Sequence, residues 1–279
     1  MRDTVAFKTS RAVVLGLLFI FCALPIYVIL VSSFKPLQDV SGEWTWWPKN
    51  FTIEPYITMW RTVPLGQYFI NSVVVSLSST TLAVSVAILA AYSVTRLRWR
   101  GQRLFSMLVL STQMFPGILF LLPLYLLFVQ IQRTVGVQLT GSYLGLIITY
   151  LTFSLPFATW MLMGFFAAMP VELEEAAMID GTSHFGGFVR IILPIARPGI
   201  AAVAVFAFMN AWGEVLFASV LTNRATRTLA VGMQAFSTNI EVRWNEAMAA
   251  SILISLPVLI GFLAVQRQIV QGLSAGAVK

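Results

Sequence analysis

Charge is scarce in this sequence. Only 10% of its 279 residues are Asp, Glu, Lys or Arg, where soluble domains carry roughly 25%. Histidine and cysteine each occur once, as His184 and Cys22. A single cysteine cannot close an intrachain disulfide, and a lone histidine without neighbouring cysteines supplies no metal-ligand set. No Gly-x-x-x-x-Gly-Lys-Ser/Thr segment is present, which excludes nucleotide binding by a phosphate loop. No carboxylate dyad, nucleophile triad or metal cluster stands out, so no residue is assigned a catalytic role. The net charge of +7 comes from basic residues scattered through the chain, not from the single basic stripe of a nucleic-acid binder. No internal repeat is apparent, and no soluble domain is expected at either end.

What remains is hydrophobic. Apolar residues make up 58% of the chain and the mean hydropathy is +0.84. A globular core cannot absorb that much apolar side chain, so the excess must face lipid. A helix crosses the hydrocarbon layer in about 20 residues. Six segments reach that length or come near it: Ala12–Ser33, Tyr68–Val94, Leu104–Val129, Tyr143–Met169, Ile195–Leu221 and Ala249–Val265. The expected fold is an all-α membrane protein with six transmembrane helices. A tail over residues 1–11 precedes a membrane domain over 12–269, and a second tail covers 270–279. Arg2, Lys8 and Arg11 before the first apolar run imitate a signal peptide. That run is too long for a signal core and lacks a clean cleavage site, so it reads as a retained span. Pro25, Pro116, Pro123, Pro156, Pro198 and Pro257 lie in or beside the spans. Membrane bundles tolerate such prolines because neighbouring helices satisfy the freed backbone groups. Packing geometry explains them more simply than gating does.

Orientation follows the positive charges. The short loop Arg96–Arg103 holds Arg96, Arg98, Arg100 and Arg103 and is expected inside. Alternation then places both termini and the segment 170–194 inside as well. The outer segment Phe34–Gln67 carries Trp44, Trp46 and Trp47, residues suited to an interfacial belt. Residues Pro55–Arg61 suit a short surface helix there.

Segment 170–194 carries most of the patterned polarity. Pro170 fits a first helical turn, where its missing N–H costs nothing. Glu172, Glu174 and Glu175 follow, near the positive end of the helix dipole. Ala176 and Ala177 keep one face thin, and Met178 and Ile179 add apolar contact. Gly181 allows a sharp turn. A second short helix, roughly Ser183–Ile192, then leads back to the membrane and is expected to end at Pro194. The result is a helix–turn–helix bracket parallel to the inner surface. A bracket resting only on headgroups is disfavoured, because its acids would face an anionic leaflet.

Here the sequence resembles a known family. Glu-Ala-Ala, three residues, Gly, nine residues and Ile-x-Leu-Pro form the signature of permease subunits in binding-protein-dependent ABC importers. Glu175, Ala176, Ala177, Gly181, Ile191, Leu193 and Pro194 match it without departure. Asp180 before the glycine is similar to the carbohydrate-importer version. Asn71-Ser72, Ala91-Tyr92, Met114-Phe115-Pro116 with Pro123, and the tail Gly272–Lys279 resemble the maltose-transporter G-subunit type. One departure is visible: the family often has Trp-Asn-Glu in its fifth span, and this chain has Trp212-Gly213-Glu214.

The resemblance implies the type I ABC importer permease fold, with 170–194 as a cytoplasmic coupling loop. It implies that this chain pairs with a second permease as a heterodimer above two ATP-binding cassette subunits. Those partners bind ATP and Mg, and this chain holds no cofactor of its own. An extracytoplasmic sugar-binding protein delivers the solute, and the whole sits in a bacterial inner membrane. Glu175 takes the role of the motif glutamate that contacts the ATPase.

Other residues carry two readings each. Glu214 is a carboxylate in an apolar run, either a functional group of the translocation path or a helix-end residue near the outer surface. Asn210, four residues earlier on the same face, is placed to share a network with it, and Trp212 lies between them. Phe153, Phe157, Trp160, Phe165 and Phe166 either line a sugar path by stacking or fill lipid and core contacts. His184 reads as an exposed loop residue and Asp180 as a group that fixes the turn. Two rival classes remain: a gradient-driven secondary transporter, which needs ion ligands at midplane, and a non-transporting membrane anchor for an ATPase.

Overall fold

The structure is a computed structural model that describes residues 5–97, 99–238 and 241–277, with the side chains of Ala6 and residues 267–277 left aside. Arg2 and Arg98 therefore lie outside the described residues, as do the tail side chains of Gly272–Lys279. Every extended element among the described residues is a helix. In chain order these are α1 (Val5–Ser33), α2 (Leu37–Ser41), α3 (Glu54–Thr62), α4 (Leu65–Arg96), α5 (Gln102–Thr112), α6 (Leu121–Val135), α7 (Tyr143–Ala167) and α8 (Glu172–Ile179). There follow α9 (His184–Gly187), α10 (Leu193–Trp212), α11 (Leu216–Leu221), α12 (Leu229–Gly232) and α13 (Trp244–Ala277).

Among the described residues, six helical stretches are long and apolar enough to cross a membrane: Phe7–Ser33, Leu65–Arg96, Gly117–Val135, Tyr143–Ala167, His184–Trp212 and Trp244–Gln266. Their number agrees with the sequence reading, but two differ in course. The third was expected over Leu104–Val129. Instead α5 stops at Thr112, and a 3-10 turn over Gly117–Phe120 starts after Pro116 and leads into α6. A proline disfavours helical backbone in the residue before it, so Phe115 breaks the run that composition makes continuous. The fifth was expected over Ile195–Leu221. It ends at Trp212 with Gly213 as its cap, and α11 begins afresh at Leu216.

Pro194 also departs from expectation. It does not end a helix: it lies in the first turn of α10. The preceding residues Phe188–Ile192 form a π-type turn, in which the Leu193 N–H reaches the Phe188 carbonyl. The wider turn absorbs the donor that proline lacks, so α9, the π turn and α10 run on as one rod.

The chain divides into two compact units, Met1–Gly66 with Gly232–Leu256, and Gln67–Val231 with Pro257–Lys279. In the first, Lys35 is fully buried. Its ammonium donates to the Thr45 carbonyl at 2.6 Å and lies 4.3 Å from the centre of the Trp44 ring. Phe34 stacks on Phe51 at 5.1 Å, and the Ser33 and Tyr56 hydroxyls meet at 2.8 Å. These contacts brace a loop that leaves Trp44, Trp46 and Trp47 exposed, as an interfacial belt requires. A short helix, expected at Pro55–Arg61, is present as α3, with Pro55 and Met59 buried.

The second unit holds two cores. One joins Ala87, Ala91 and Tyr92 of α4 to Leu162 and Phe166 of α7, and to Phe188, Ile192 and Ala196 at the start of the α9–α10 rod. Ala83, Ala87 and Ala91 are all fully buried. That stripe of small residues at every fourth position lets helix backbones approach closely. Gly199 serves the same end, since a Cβ there would come within 2.6 Å of the Phe165 ring. The other core gathers Val75, Phe128, Leu146, Tyr150, Phe217 and Leu221.

Candidate functional site

The bracket is built from α8, a glycine turn and α9. The turn follows from the chain's own hydrogen bonding. The Gly181 N–H reaches the Met178 carbonyl and the Thr182 N–H reaches the Ala177 carbonyl, each at 3.0 Å. This six-to-one and five-to-two pattern closes a helix only when its pivot is left-handed, and Gly181 has φ +85°. The Ser183 hydroxyl then accepts the Gly186 N–H at 3.1 Å and starts α9. Asp180 is the last residue before the pivot, exposed at the end of α8.

One helix face points inward and the other is free. Glu174 and Ala177, one turn apart, are buried. Glu172, Glu175, Ala176 and Met178 are exposed, and Ile179 and Phe185 are 86% and 72% exposed. The free face is therefore both acidic and apolar. Of the remaining motif positions, Ile191, Leu193 and Pro194 are half-buried, whereas Ile192 between them is fully buried. Their role in the fold is to shape the π turn and the start of α10.

The buried face contains a site that the sequence reading missed. Glu174 Oε1 lies 2.8 Å from Arg96 Nε, and these side chains are only 10% and 6% exposed. The Tyr92 hydroxyl donates to Glu174 Oε2 at 3.1 Å. Arg96 also donates from Nη2 to the carbonyls of Phe166 and Met169, at 3.1 and 2.9 Å. Arg96 was expected as one of the loop arginines, but it is the last residue of α4 and faces inward. Helical spacing groups these residues on common faces but does not say which face is buried. Glu174 and Ala177 share a face at spacing three, and Tyr92 and Arg96 share one at spacing four.

Asn210, Trp212 and Glu214 lie far from the bracket. Leu193 and Trp212 at the two ends of α10 are separated by about 29 Å at 1.5 Å per residue. Asn210 is exposed and its amide donates to the Phe206 carbonyl at 2.8 Å. Trp212 is buried, stacked on Phe208 and edge-on to Phe69. Glu214 occupies the break before α11. Its carboxylate accepts the N–H groups of Phe217 and Ala218 at 2.8 and 2.9 Å, and the Tyr150 hydroxyl at 3.0 Å. It thus satisfies the orphan donors of a helix start inside an apolar run. Its partner is Tyr150, whereas Asn210 bonds within its own helix.

Beside the ends of α4, α7 and the start of α10 opens a groove of about 980 Å³ with Trp160, Met163, Phe165 and Thr95 on its walls. Phe166 is buried in the core, so the aromatics of the fourth span divide between groove and interior. No group of three His, Cys, Asp or Glu able to hold a metal occurs among the described residues.

Residues 83–275 match the family described as binding-protein-dependent transport system inner membrane component. The chain is 38% identical to the inner membrane ABC transporter permease protein YcjP of Escherichia coli K12, over 95% of this chain and 94% of that one. It is 33% identical to the trehalose/maltose transport system permease protein MalG of Thermococcus litoralis, over 100% and 99%. Its fold matches a chain of a bacterial ABC transporter that imports the acidic polysaccharide alginate. That match has a TM-score of 0.80 at 19% identity, covering 96% of this chain and 99% of the other. This chain belongs to the binding-protein-dependent inner membrane permeases: it is the multi-pass, non-catalytic component of an ABC importer, in which ATP hydrolysis takes place in a partner subunit.

Proposed function

We propose that this chain forms half of the pore of an ATP-driven sugar importer, and that the bracket of α8 and α9 is the handle by which an ATP-binding subunit moves it. The observation that carries the second statement is the free face of the bracket. Ile179 and Phe185 are exposed beside Glu172 and Glu175, while the opposite face is pinned by a buried ion pair. A solvent-facing apolar patch with an acidic rim suits a protein groove with basic residues, and Glu175 is the carboxylate we assign to that contact. Ala176 keeps the approach close, and Gly181 sets the angle between α8 and α9.

The relative named for trehalose/maltose transport supports a sugar as the solute. The assembly we infer is a heterodimer with a second permease, two ATP-binding cassette subunits that bind ATP and Mg, and an extracytoplasmic sugar-binding protein. Both termini face the cytoplasm in this reading. Asn210, Trp212 and Glu214 belong to the translocation path: Asn210 through its exposed amide, Trp212 and Glu214 by shaping the break between α10 and α11. ATP closure at the bracket biases one of two pore states and delivered solute biases the other, as coupling between sites requires.

Replacing Glu175 with Ala tests the handle. Sugar uptake in cells is expected to be lost, with the protein still present in the membrane at the parental level. Undiminished uptake, or a variant that still binds the ATPase as tightly as the parent, refutes the assignment. Uptake that survives ATP depletion and collapses with the ion gradient would support the secondary-transporter reading instead.

A further inference from the structure

We infer that Arg96, Glu174 and Tyr92 form a positioning link that makes α8 and the adjoining ends of α4 and α7 move as one body. A push on the exposed face of α8 then reaches several spans at once. The inference rests on the bracket's being the ATPase handle.

An eight-residue helix flanked by turns is held only by what its inner face touches. On α8 that face offers Glu174 and Ala177. Ala177 faces Gly187, where even an added Cβ would come no nearer than 3.8 Å to its methyl group, so this side of α8 has no side chain to lock against and is free to slide along its neighbour. Glu174 removes that freedom. The Arg96 guanidinium is a rigid planar fork. It meets α8 at 2.8 Å through the Glu174 carboxylate and the end of α7 through the Phe166 and Met169 carbonyls. One side chain at the end of α4 thereby joins three helix ends. Tyr92 fixes the second carboxylate oxygen, and its ring lies 4.3 Å from Phe188 in the π turn and 6.4 Å from Phe166. The joint therefore also touches the root of α10. An exposed ion pair is loose and screened by salt. This one is shielded from solvent beside the core of Ala91, Tyr92, Phe166 and Phe188, and a close-packed interior transmits displacement instead of absorbing it.

The test uses the purified complex in lipid vesicles, with its own ATP-binding subunits and extracytoplasmic binding protein. The readout is the ratio of ATP hydrolysis with the binding protein to hydrolysis without it. Glu174→Gln and Arg96→Gln are expected to lower that ratio by about tenfold, within the usual range of a coupling between sites. A role in stability alone lowers both rates together and leaves the ratio unchanged, which would overturn the inference. Arg96→Met with Glu174→Met guards against misfolding, because replacing both members of a buried pair is often neutral for stability. This double variant is expected to assemble and to remain uncoupled, and normal coupling in it refutes the link.

A second measurement reads the motion directly. Spin labels at the exposed positions Leu97 and Leu173 should keep one sharp separation with and without ATP in the parent, and a broad one in Glu174→Gln. A parental separation that shifts on ATP binding shows that α8 moves apart from α4 and ends the proposal. Failure of the ATP-binding subunit to bind even the parental chain would instead indict the handle itself.

Discussion

The two ends of α4 are fastened by different chemistry. Near its start, Asn71 and Ser72 are buried. The Asn71 amide donates to the carbonyls of Ala225 and Arg227 at 2.9 and 2.8 Å and accepts the Tyr143 hydroxyl at 2.6 Å. Ser72 accepts the Leu229 N–H at 2.7 Å. Near its end, Arg96 engages a carboxylate on α8. About 37 Å of helix separates Asn71 from Arg96, slightly more than the hydrocarbon thickness of about 30 Å, so each joint sits close to a membrane face. The first joint is neutral and binds a loop by its backbone, which suits a fixed frame. The second is charged and directional and binds the element proposed to move. Glu214 repeats the first pattern: its carboxylate is spent on backbone N–H groups and a tyrosine hydroxyl, and it holds a helix break in shape.

The largest predicted effect strikes the charged joint. Arg96→Ala leaves the Glu174 carboxylate buried without its cation, and losing one member of such a pair costs about 3–5 kcal/mol. Thermal unfolding in detergent should show a markedly lower midpoint, and the paired Met substitutions should recover most of it. Were the single and double variants equally unstable, the charge would not be what distinguishes this end.

Asn71→Ala should cost less, about 1–3 kcal/mol for the polar groups left unpaired. Its signature is local: trypsin should cut faster after Arg224 and Arg227, while labels at Leu97 and Leu173 keep their parental separation. Disturbance at both ends would erase the contrast between frame and moving joint.

Gly181→Ala sharpens the picture of the bracket. A Cβ there meets nothing within 4 Å, so the penalty comes only from φ +85°. It should be about 1–2 kcal/mol, and Gly181→Asn should be milder because asparagine tolerates left-handed backbone better. Binding of the ATP-binding subunit to the two variants ranks them.

The smallest effect on stability belongs to Glu175→Gln. Its side chain is exposed on the free face, and such surface changes stay within about 0.5 kcal/mol. Its unfolding midpoint should match the parent even as transport falls. The neighbouring glutamates thus separate cleanly: Glu174 answers in a melting curve, and Glu175 answers in uptake.

Much of this was legible in the residues. Low charge and long apolar runs dictate a lipid-embedded helical protein, since no globular core can hold that composition. The Glu175–Pro194 spacing marks the bracket and its glycine pivot, because turn geometry is local and few residues accept a positive φ. The breaks at Pro116 and Gly213 were not legible, because continuous hydrophobicity makes each span read as one unbroken helix. The course through Pro194 was hidden for a related reason: a proline reads as a stop until a π turn supplies an alternative.

Only the tertiary structure decided which charges face inward. Tyr92 and Glu174 are 82 residues apart in the chain, and nothing local to either announces the other. Arg96 beside three more arginines reads as a solvated loop, and Glu174 beside Glu175 reads as part of one acidic cluster. Burial is a property of the assembled helices, because it depends on which faces meet. Adjacent residues on a helix differ by about 100° in direction, and that rotation sends one glutamate into the core and leaves its neighbour on the surface.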